Sequence, residues 1–207
     1  MASMITVPVD ARLIALRVTT YRIVEKKIQV GAKTQIQHER VQEVREVKPD
    51  PGKAEVEQAI AAANKIWKQA DIAFNLRTCV AIATDPPGNS EEVNTAGFFA
   101  IVAKEKIKAM GGVVVLFVKK FESRDLGGFA AEAIGACIVT SLSASMLGNV
   151  LAHELGHLLS LPDIRHKEGS VAPNANLMYE AIPMDYKLDA GQIEKARASA
   201  RVRLAYQ

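Results

Sequence analysis

The sequence has few cysteines and no long apolar run, and each shortage limits what the chain can be. Cys79 and Cys137 are its only cysteines, so the chain can form one internal disulfide or none. Both lie in strand-like apolar segments, where we expect buried free thiols. No stretch of 18 apolar residues occurs, so we expect no membrane span. The first residues lack a basic region followed by an apolar run, so we expect no secretory signal peptide there.

The chain also has little net charge. Its formal charge is +3 over 207 residues, and the basic residues are spread along the sequence. This distribution does not indicate a nucleic-acid partner. A hydrophobic content of 49% predicts one globular domain, residues 1–207, with a sizeable core. We expect this domain to be a monomer.

Histidine is scarce as well, but three of the four histidines lie close together. Residues 153–157 read His-Glu-Leu-Gly-His, the HExxH pattern. On a helix, His153 and His157 are four residues apart and project from one face, where two neutral imidazoles can hold a zinc ion. Glu154 is turned away from that face and is placed to take a proton from a water molecule that the metal activates. The pattern predicts a metal-dependent hydrolase.

A third ligand is expected just after the helix. Pro162 disfavours helical geometry at Leu161, so the helix should end near Leu159 or Ser160 and the chain should turn. Asp163 then offers a carboxylate, which is a suitable zinc ligand, and His166 is the alternative. A site with three protein ligands keeps its fourth position open, as catalytic zinc sites do.

At these residues the sequence resembles the metzincin metallopeptidases. Their extended signature is HExxHxxGxxH, with Asp in the last place in some members, followed by a turn that contains a methionine. The matching positions are His153, Glu154, His157, Ser160 and Asp163, with Met178 in a Met-turn-like segment over 175–179. Residues 188–197 resemble the helix that closes many bacterial matrixin-like catalytic domains. Ser160 departs from the family glycine, and it costs free energy there if the position needs a positive φ.

The resemblance implies a fold and an activity. It implies a zincin-like α/β (α+β) domain, with a mixed, mostly parallel twisted sheet, an active-site helix and a C-terminal helix. The activity would be zinc-dependent endopeptidase cleavage of protein or peptide substrates, with Zn²⁺ as cofactor and Glu154 as general base. Met178 would pack beneath the metal rather than bind it. Residues Gly128, Phe129 and Ala130 would lie on the edge strand that binds substrate. The family also suggests a secreted or exported protein, although the sequence itself leaves the compartment open.

Hydrophobic periodicity gives a matching order of elements. It predicts helices near 54–70 and 98–110, a strand near 72–80 and a buried strand over 113–118. Short strands near 129–134 and 136–140 and a metal-binding helix from about Ser145 follow. Residues 25–48 are charged, and we expect an extra arm or insertion there, either a hairpin or a helix. The order of elements independently favours an α/β sandwich.

Two other interpretations remain open. In a zincin of another clan, a glutamate further along the chain is the third ligand, and Glu180 is the candidate. In a non-catalytic binding protein, zinc would only stabilise the fold, but such sites are normally closed by four protein ligands and need no base like Glu154.

Overall fold

A computed structural model of the protein describes residues 3–30, 33–122, 127–164, 176–179 and 186–205. It contains a six-stranded sheet and four α-helices. In chain order the elements are β1 (Ile5–Val30), β2 (Lys33–Val47), α1 (Lys53–Trp67), β3 (Ile72–Thr84), α2 (Thr95–Lys104), β4 (Val113–Val118), β5 (Gly128–Ala131), β6 (Ala136–Thr140), α3 (Ala144–Leu158) and α4 (Ala190–Ala205).

The sheet is mixed and mostly parallel, as the sequence predicted. The first part of β1 pairs in parallel with both β3 and β4, and β4 pairs in parallel with β6. At one edge, β5 runs antiparallel to β6. Beyond Leu16, β1 continues as one arm of an antiparallel hairpin with β2.

The two faces of the sheet have separate apolar cores. Val7, Val9 and Ala11 of β1 face the core that contains the buried residues of α1 and α3. Further along β1, Ile14 and Leu16 face the opposite core, which contains buried residues of α2. This alternation follows from the period-two geometry of a strand. All six residues of β4 are buried because this strand is covered on both faces.

Most of the predicted elements are present. Two segments and the burial of one cysteine need comment. The ambiguous segment 25–48 forms the hairpin alternative, not a helix. The helix predicted over 98–110 begins earlier, where the Asn94 side chain caps it, and ends at Lys104. Cys137 is a buried free thiol as expected, but the free thiol of Cys79 is only partly buried, because the second half of β3 is largely exposed. No helix in the described parts of the chain is long and apolar enough to cross a membrane.

A buried carboxylate joins β1 to β3. The pairing of these strands shifts register between Val9 and Asp10, so that Arg77 is an extra residue on β3. Asp10 is 6% exposed and accepts hydrogen bonds from the Arg77 guanidinium and from Thr78 Oγ1, at 2.6 Å for the latter. The hydrogen bonds from Arg77 hold the pKa of Asp10 below its usual value. The charge of Arg77 therefore compensates the burial of this carboxylate.

We predict that Asp10→Asn lowers the free energy of unfolding by about 2 kcal/mol at pH 7, because hydrogen bonds to charged groups are worth about 1.5–3 kcal/mol. The folded-state pKa lies below the unfolded value, so this contribution is complete above about pH 4 and is lost as the pH falls through the folded-state pKa. Urea unfolding from pH 7 to pH 2.5 measures it. The exposed Asp85→Asn serves as control and should cost less than about 1 kcal/mol. An Asp10→Asn deficit that does not shrink in acid would contradict the assignment.

Candidate metal centre

Close backbone contacts hold α3 in place between α1 and the segment around Met178. A Cβ atom at Gly148 would lie 2.5 Å from Ala62 Cβ, so α1 and α3 touch at a point where only glycine fits. One turn before the end of α3, a Cβ atom at Gly156 would lie 2.4 Å from Met178 Sδ. The Trp67 indole donates a hydrogen bond of 3.1 Å to Ala152 O. These contacts fix the rotation of α3, and with it the direction of its histidines.

Three side chains predicted as ligands meet above α3. His153 Nε2 and His157 Nε2 are 3.1 Å apart, and Asp163 Oδ1 lies 3.4 Å from the first and 3.2 Å from the second. Tetrahedral bonds of about 2.0–2.1 Å place neighbouring ligand atoms about 3.3–3.4 Å apart. The three atoms therefore form a triangle of the size that one zinc ion needs. Among the described residues, this is the only cluster of three such ligands.

The second nitrogen of each imidazole fixes which nitrogen faces the triangle. His153 Nδ1 lies 2.8 Å from Leu177 O, and His157 Nδ1 lies 2.9 Å from Leu161 O. A carbonyl oxygen only accepts, so each Nδ1 carries a proton, and in a neutral ring Nε2 then presents a lone pair. Burial lowers the pKa of His153, which favours the neutral form. Two lone pairs and a carboxylate then converge, and a cation would satisfy all three.

The turn after α3 brings Asp163 back to the histidines. Leu161 N donates to Gly156 O and Ser160 N donates to His157 O, which is the double hydrogen-bond pattern of a Schellman C-cap. This motif requires a left-handed residue at Ser160, whose φ is 65°. The condition raised from the sequence is therefore met: position 160 needs a positive φ, and a serine adopts it at some cost in free energy. The Ser160 hydroxyl donates to the Glu132 carboxylate and lies 3.1 Å from Ser199 Oγ.

A network centred on Asn176 supports the segment that carries Met178. Asn176 Oδ1 accepts a 2.9 Å hydrogen bond from Met178 N, and its amide exchanges hydrogen bonds with the amide of Gln192 on α4. Gln192 also forms a reciprocal cap with Asp189 at the start of α4. Ile164 N in turn donates to Met178 O at 2.7 Å, next to Asp163. The start of α4 thus supports the Met178 segment, and this segment in turn bonds the backbone next to Asp163.

Glu154 lies apart from the triangle and is almost fully buried. It is 5% exposed, and its Oε2 atom has no hydrogen-bond partner among the described residues. Its other side touches β5, where a Cβ atom at Gly128 would lie 2.8 Å from both Cγ and Oε1 of Glu154. Burial, with a smaller effect from the charge of Asp163, raises the pKa of Glu154 to about 8. A carboxyl group held in this state lacks a partner, and a polar ligand in the cleft would supply one.

An open cleft of about 880 Å³ leads to these residues. Its walls are the edge strand β5, the end of α3 and the turn to Asp163, with Lys195 of α4 at the border. The predicted residues Gly128, Phe129 and Ala130 line one wall, and the metal triangle lines the other. The donor set and its spacing fit a zinc ion with a coordination position toward the cleft.

The structure brings together every described residue that the sequence predicted for this site. His153, Glu154, His157, Asp163 and Gly128 converge, and Met178 packs under Gly156. His166 and Glu180 lie outside the described residues. Sequence reasoning missed Asn176, Gln192 and Glu132, which support the site through hydrogen bonds. The Asp189-x-x-Gln192 spacing of a capping box was the one available signal for Gln192.

A scan against models of known protein families gave no match to this chain, and a search of curated proteins gave no relative. The functional interpretation therefore depends on the residues and geometry described above.

We predict that Ser160→Gly is more stable than Ser160→Ala by about 1 kcal/mol, because only glycine adopts φ near 65° without cost. Both variants lose the hydroxyl that bonds Glu132, so their difference isolates the backbone. Thermal or urea unfolding of the two variants measures it. As a control, Ser90→Gly and Ser90→Ala compare the same residues at an exposed position with φ of −95°, where both lose the same hydroxyl contact with Glu92 N. An alanine variant as stable as the glycine variant at position 160 would contradict the left-handed turn.

Proposed function

We propose that the protein is a zinc-dependent endopeptidase with a zincin-like fold. The observation that carries the proposal is the triangle of His153 Nε2, His157 Nε2 and Asp163 Oδ1, with sides of 3.1–3.4 Å. The buried carboxyl group of Glu154, whose Oε2 has no hydrogen-bond partner in the described part of the chain, lies beside it and lines the same cleft. A structural zinc site would use a fourth protein ligand and would not need this group.

The order of the elements also supports a zincin-like fold. Parallel strands β1, β3, β4 and β6 carry an antiparallel edge strand, β5, next to the helix that holds the HExxH residues. The turn at Met178 packs under that helix, and α4 follows it. This arrangement agrees with the metzincin resemblance of the sequence at His153 to Asp163 and at Met178.

Each site residue has a chemical role in the proposed reaction. When bound, zinc would act as a Lewis acid toward the scissile carbonyl and lower the pKa of water toward about 7. His153 and His157 offer Nε2 lone pairs, and their Nδ1–H bonds to carbonyls fix the ring orientation. Glu154 accepts a proton from the attacking water and returns it to the leaving amine. Burial raises the pKa of Glu154, and the positive charge of a cation held beside it would lower that pKa again, toward the ionised form that a base needs.

The substrate would bind as an extended peptide along β5. On the side away from β6, β5 has no partner among the described strands, so its backbone groups there are available for hydrogen bonds. Such pairing demands little of the substrate sequence, which suits an endopeptidase. Gly128 permits close contact between this strand and Glu154, and it therefore brings the peptide backbone and the base together.

We predict that Glu154→Ala retains zinc but loses peptidase activity by a factor of about 10²–10⁴, the usual contribution of a general base. Zinc content by metal analysis and cleavage of an unfolded protein substrate measure the two properties. Glu57→Ala is the matched control, because Glu57 is exposed on α1 and its ion pair with Lys53 lies away from the cleft. Glu154→Ala with normal turnover would refute the assigned role.

We also predict that Asp163→Ala loses zinc, whereas His166→Ala and Glu180→Ala retain it. The reason is that Asp163 Oδ1 completes the ligand triangle, and removing one of three ligands weakens binding strongly. Zinc content after dialysis against a weak chelator compares the three variants. Loss of zinc in Glu180→Ala alone would instead indicate a zincin of another clan. A wild-type protein that holds zinc but cleaves no peptide would favour the non-catalytic binding protein.

A further inference from the structure

The hairpin of β1 and β2 extends beyond the packed core as a separate surface. We call residues 19–29 of β1 and 34–46 of β2 the arm. Nearly all of its side chains on β2 are exposed, and only Val41 is partly buried there. A two-stranded hairpin is marginally stable in water without further packing. The arm is long, ordered and poorly covered, which is typical of a surface that pairs with another chain.

The exposed apolar side chains of the arm lie on one face. Tyr21 is 53% exposed, Ile23 72%, Ile36 55% and Val44 59%. The pairing of β1 with β2 places all four on the same side of the ribbon, since Tyr21 pairs with Gln42, Ile23 with Arg40, Lys27 with Ile36 and Thr19 with Val44. The Arg40 guanidinium covers the Tyr21 ring at 3.8 Å from its centre.

The two edges of the arm differ. On β1, the Asn89 side chain accepts from Thr19 N at 2.7 Å and donates to Thr19 O at 2.6 Å, so it occupies the place of a further strand. On β2, no described strand or side chain does the same at the outer edge, and β2 is a terminal strand of the sheet. Open edges of this length are templates for pairing with another strand.

We propose that two copies of this chain associate through antiparallel pairing of β2 with β2, centred on Gln42. In an antiparallel pair, the backbone groups of two opposite residues both point toward the partner strand or both point away from it, so in a symmetric pair the separation of opposite residues along β2 is even. Centring on Gln42 places Glu39 opposite Arg45 of the second copy and His38 opposite Glu46, each twice. No like charges oppose each other over residues 37–47 in this register.

Charge distinguishes this register from its neighbours. The two neighbouring registers are centred on Val41 and on Glu43. The first places Glu39 opposite Glu43 of the second copy, and the second places Glu43 opposite itself. Like charges directly opposite each other destabilise a sheet. Pairing of β1 with β1 gives no comparable register, because the one that places Glu25 opposite Lys27 also places Lys26 opposite Lys26. The pairing would also join the exposed apolar faces of two arms into one wider sheet. A second copy is therefore the occupant that β2 fits, in contrast to the monomer expected from composition.

A cysteine introduced at the two-fold axis tests the register. In Gln42→Cys the two thiols face each other across the dimer, within the 4.4–6.8 Å Cα separation of a disulfide. In Gln37→Cys they would be about 34 Å apart, because each strand rises about 3.4 Å per residue. We expect Gln42→Cys to form an intermolecular disulfide at least about tenfold faster than Gln37→Cys. Equal rates for the two variants would overturn the proposal.

Charge reversal supplies an independent test in the same arm. Glu39→Arg should weaken the dimer about tenfold, because it creates two like-charge pairs. Glu39→Arg with Arg45→Glu should partly restore it, because Arg45→Glu also breaks the ion pair of Arg45 with Glu91 in each copy. Sedimentation velocity over a concentration series measures the dissociation constants. Glu57→Arg, the same charge change on α1, should have no effect. A wild-type chain that stays monomeric up to about 100 µM, or a Glu39→Arg variant that dimerises as well as wild type, would overturn the proposal.

Discussion

The orientation of two imidazole rings is the constraint on which the site depends. Leu177 O and Leu161 O each accept a hydrogen bond from an Nδ1 atom, so both Nε2 atoms point into one small space 3.1 Å apart. Neutral lone pairs at this distance repel each other, and the Asp163 carboxylate adds negative charge to the same space. Such an arrangement costs free energy by itself. A shared cation would make it favourable, and this is the physical basis of the proposed metal site.

Both carbonyls that orient the rings come from irregular segments, so those segments need their own support. The Leu161 carbonyl is placed by the Schellman turn at Ser160, and the Leu177 carbonyl is placed by the Asn176 amide with Gln192. On α4, Arg203 donates to Leu158 O at 2.7 Å, at the end of the metal helix. The C-terminal helix thus contacts both supports. Its role is to hold ligand-bearing backbone in place rather than to supply ligands.

The sequence predicted what depends on short-range pattern. The four-residue spacing of His153 and His157, the stop at Pro162 and the alternation of strand residues each depend on local geometry, and each was placed correctly. For residues 25–48 the sequence left a hairpin and a helix open, because the second half of β1 is charged on both faces and gives no buried alternation. A positive φ at Ser160 was raised only as a condition, from the glycine that the metzincin signature has there, and the structure meets that condition. The Asn176–Gln192 pair could not be foreseen, since it joins residues 16 apart, one of which lies outside any helix or strand.

Ser160 shows how a chain can tolerate a residue that its backbone disfavours. The left-handed conformation costs a serine about 1–2 kcal/mol relative to glycine. Its hydroxyl, however, bonds the Glu132 carboxylate, which follows the edge strand β5, and lies beside Ser199 of α4. Those contacts link three walls of the cleft at the residue that turns Asp163 toward the histidines. A glycine would relieve the strain but would remove this link. The serine therefore costs backbone free energy, while its hydroxyl holds the turn before Asp163 at a fixed distance from the edge strand.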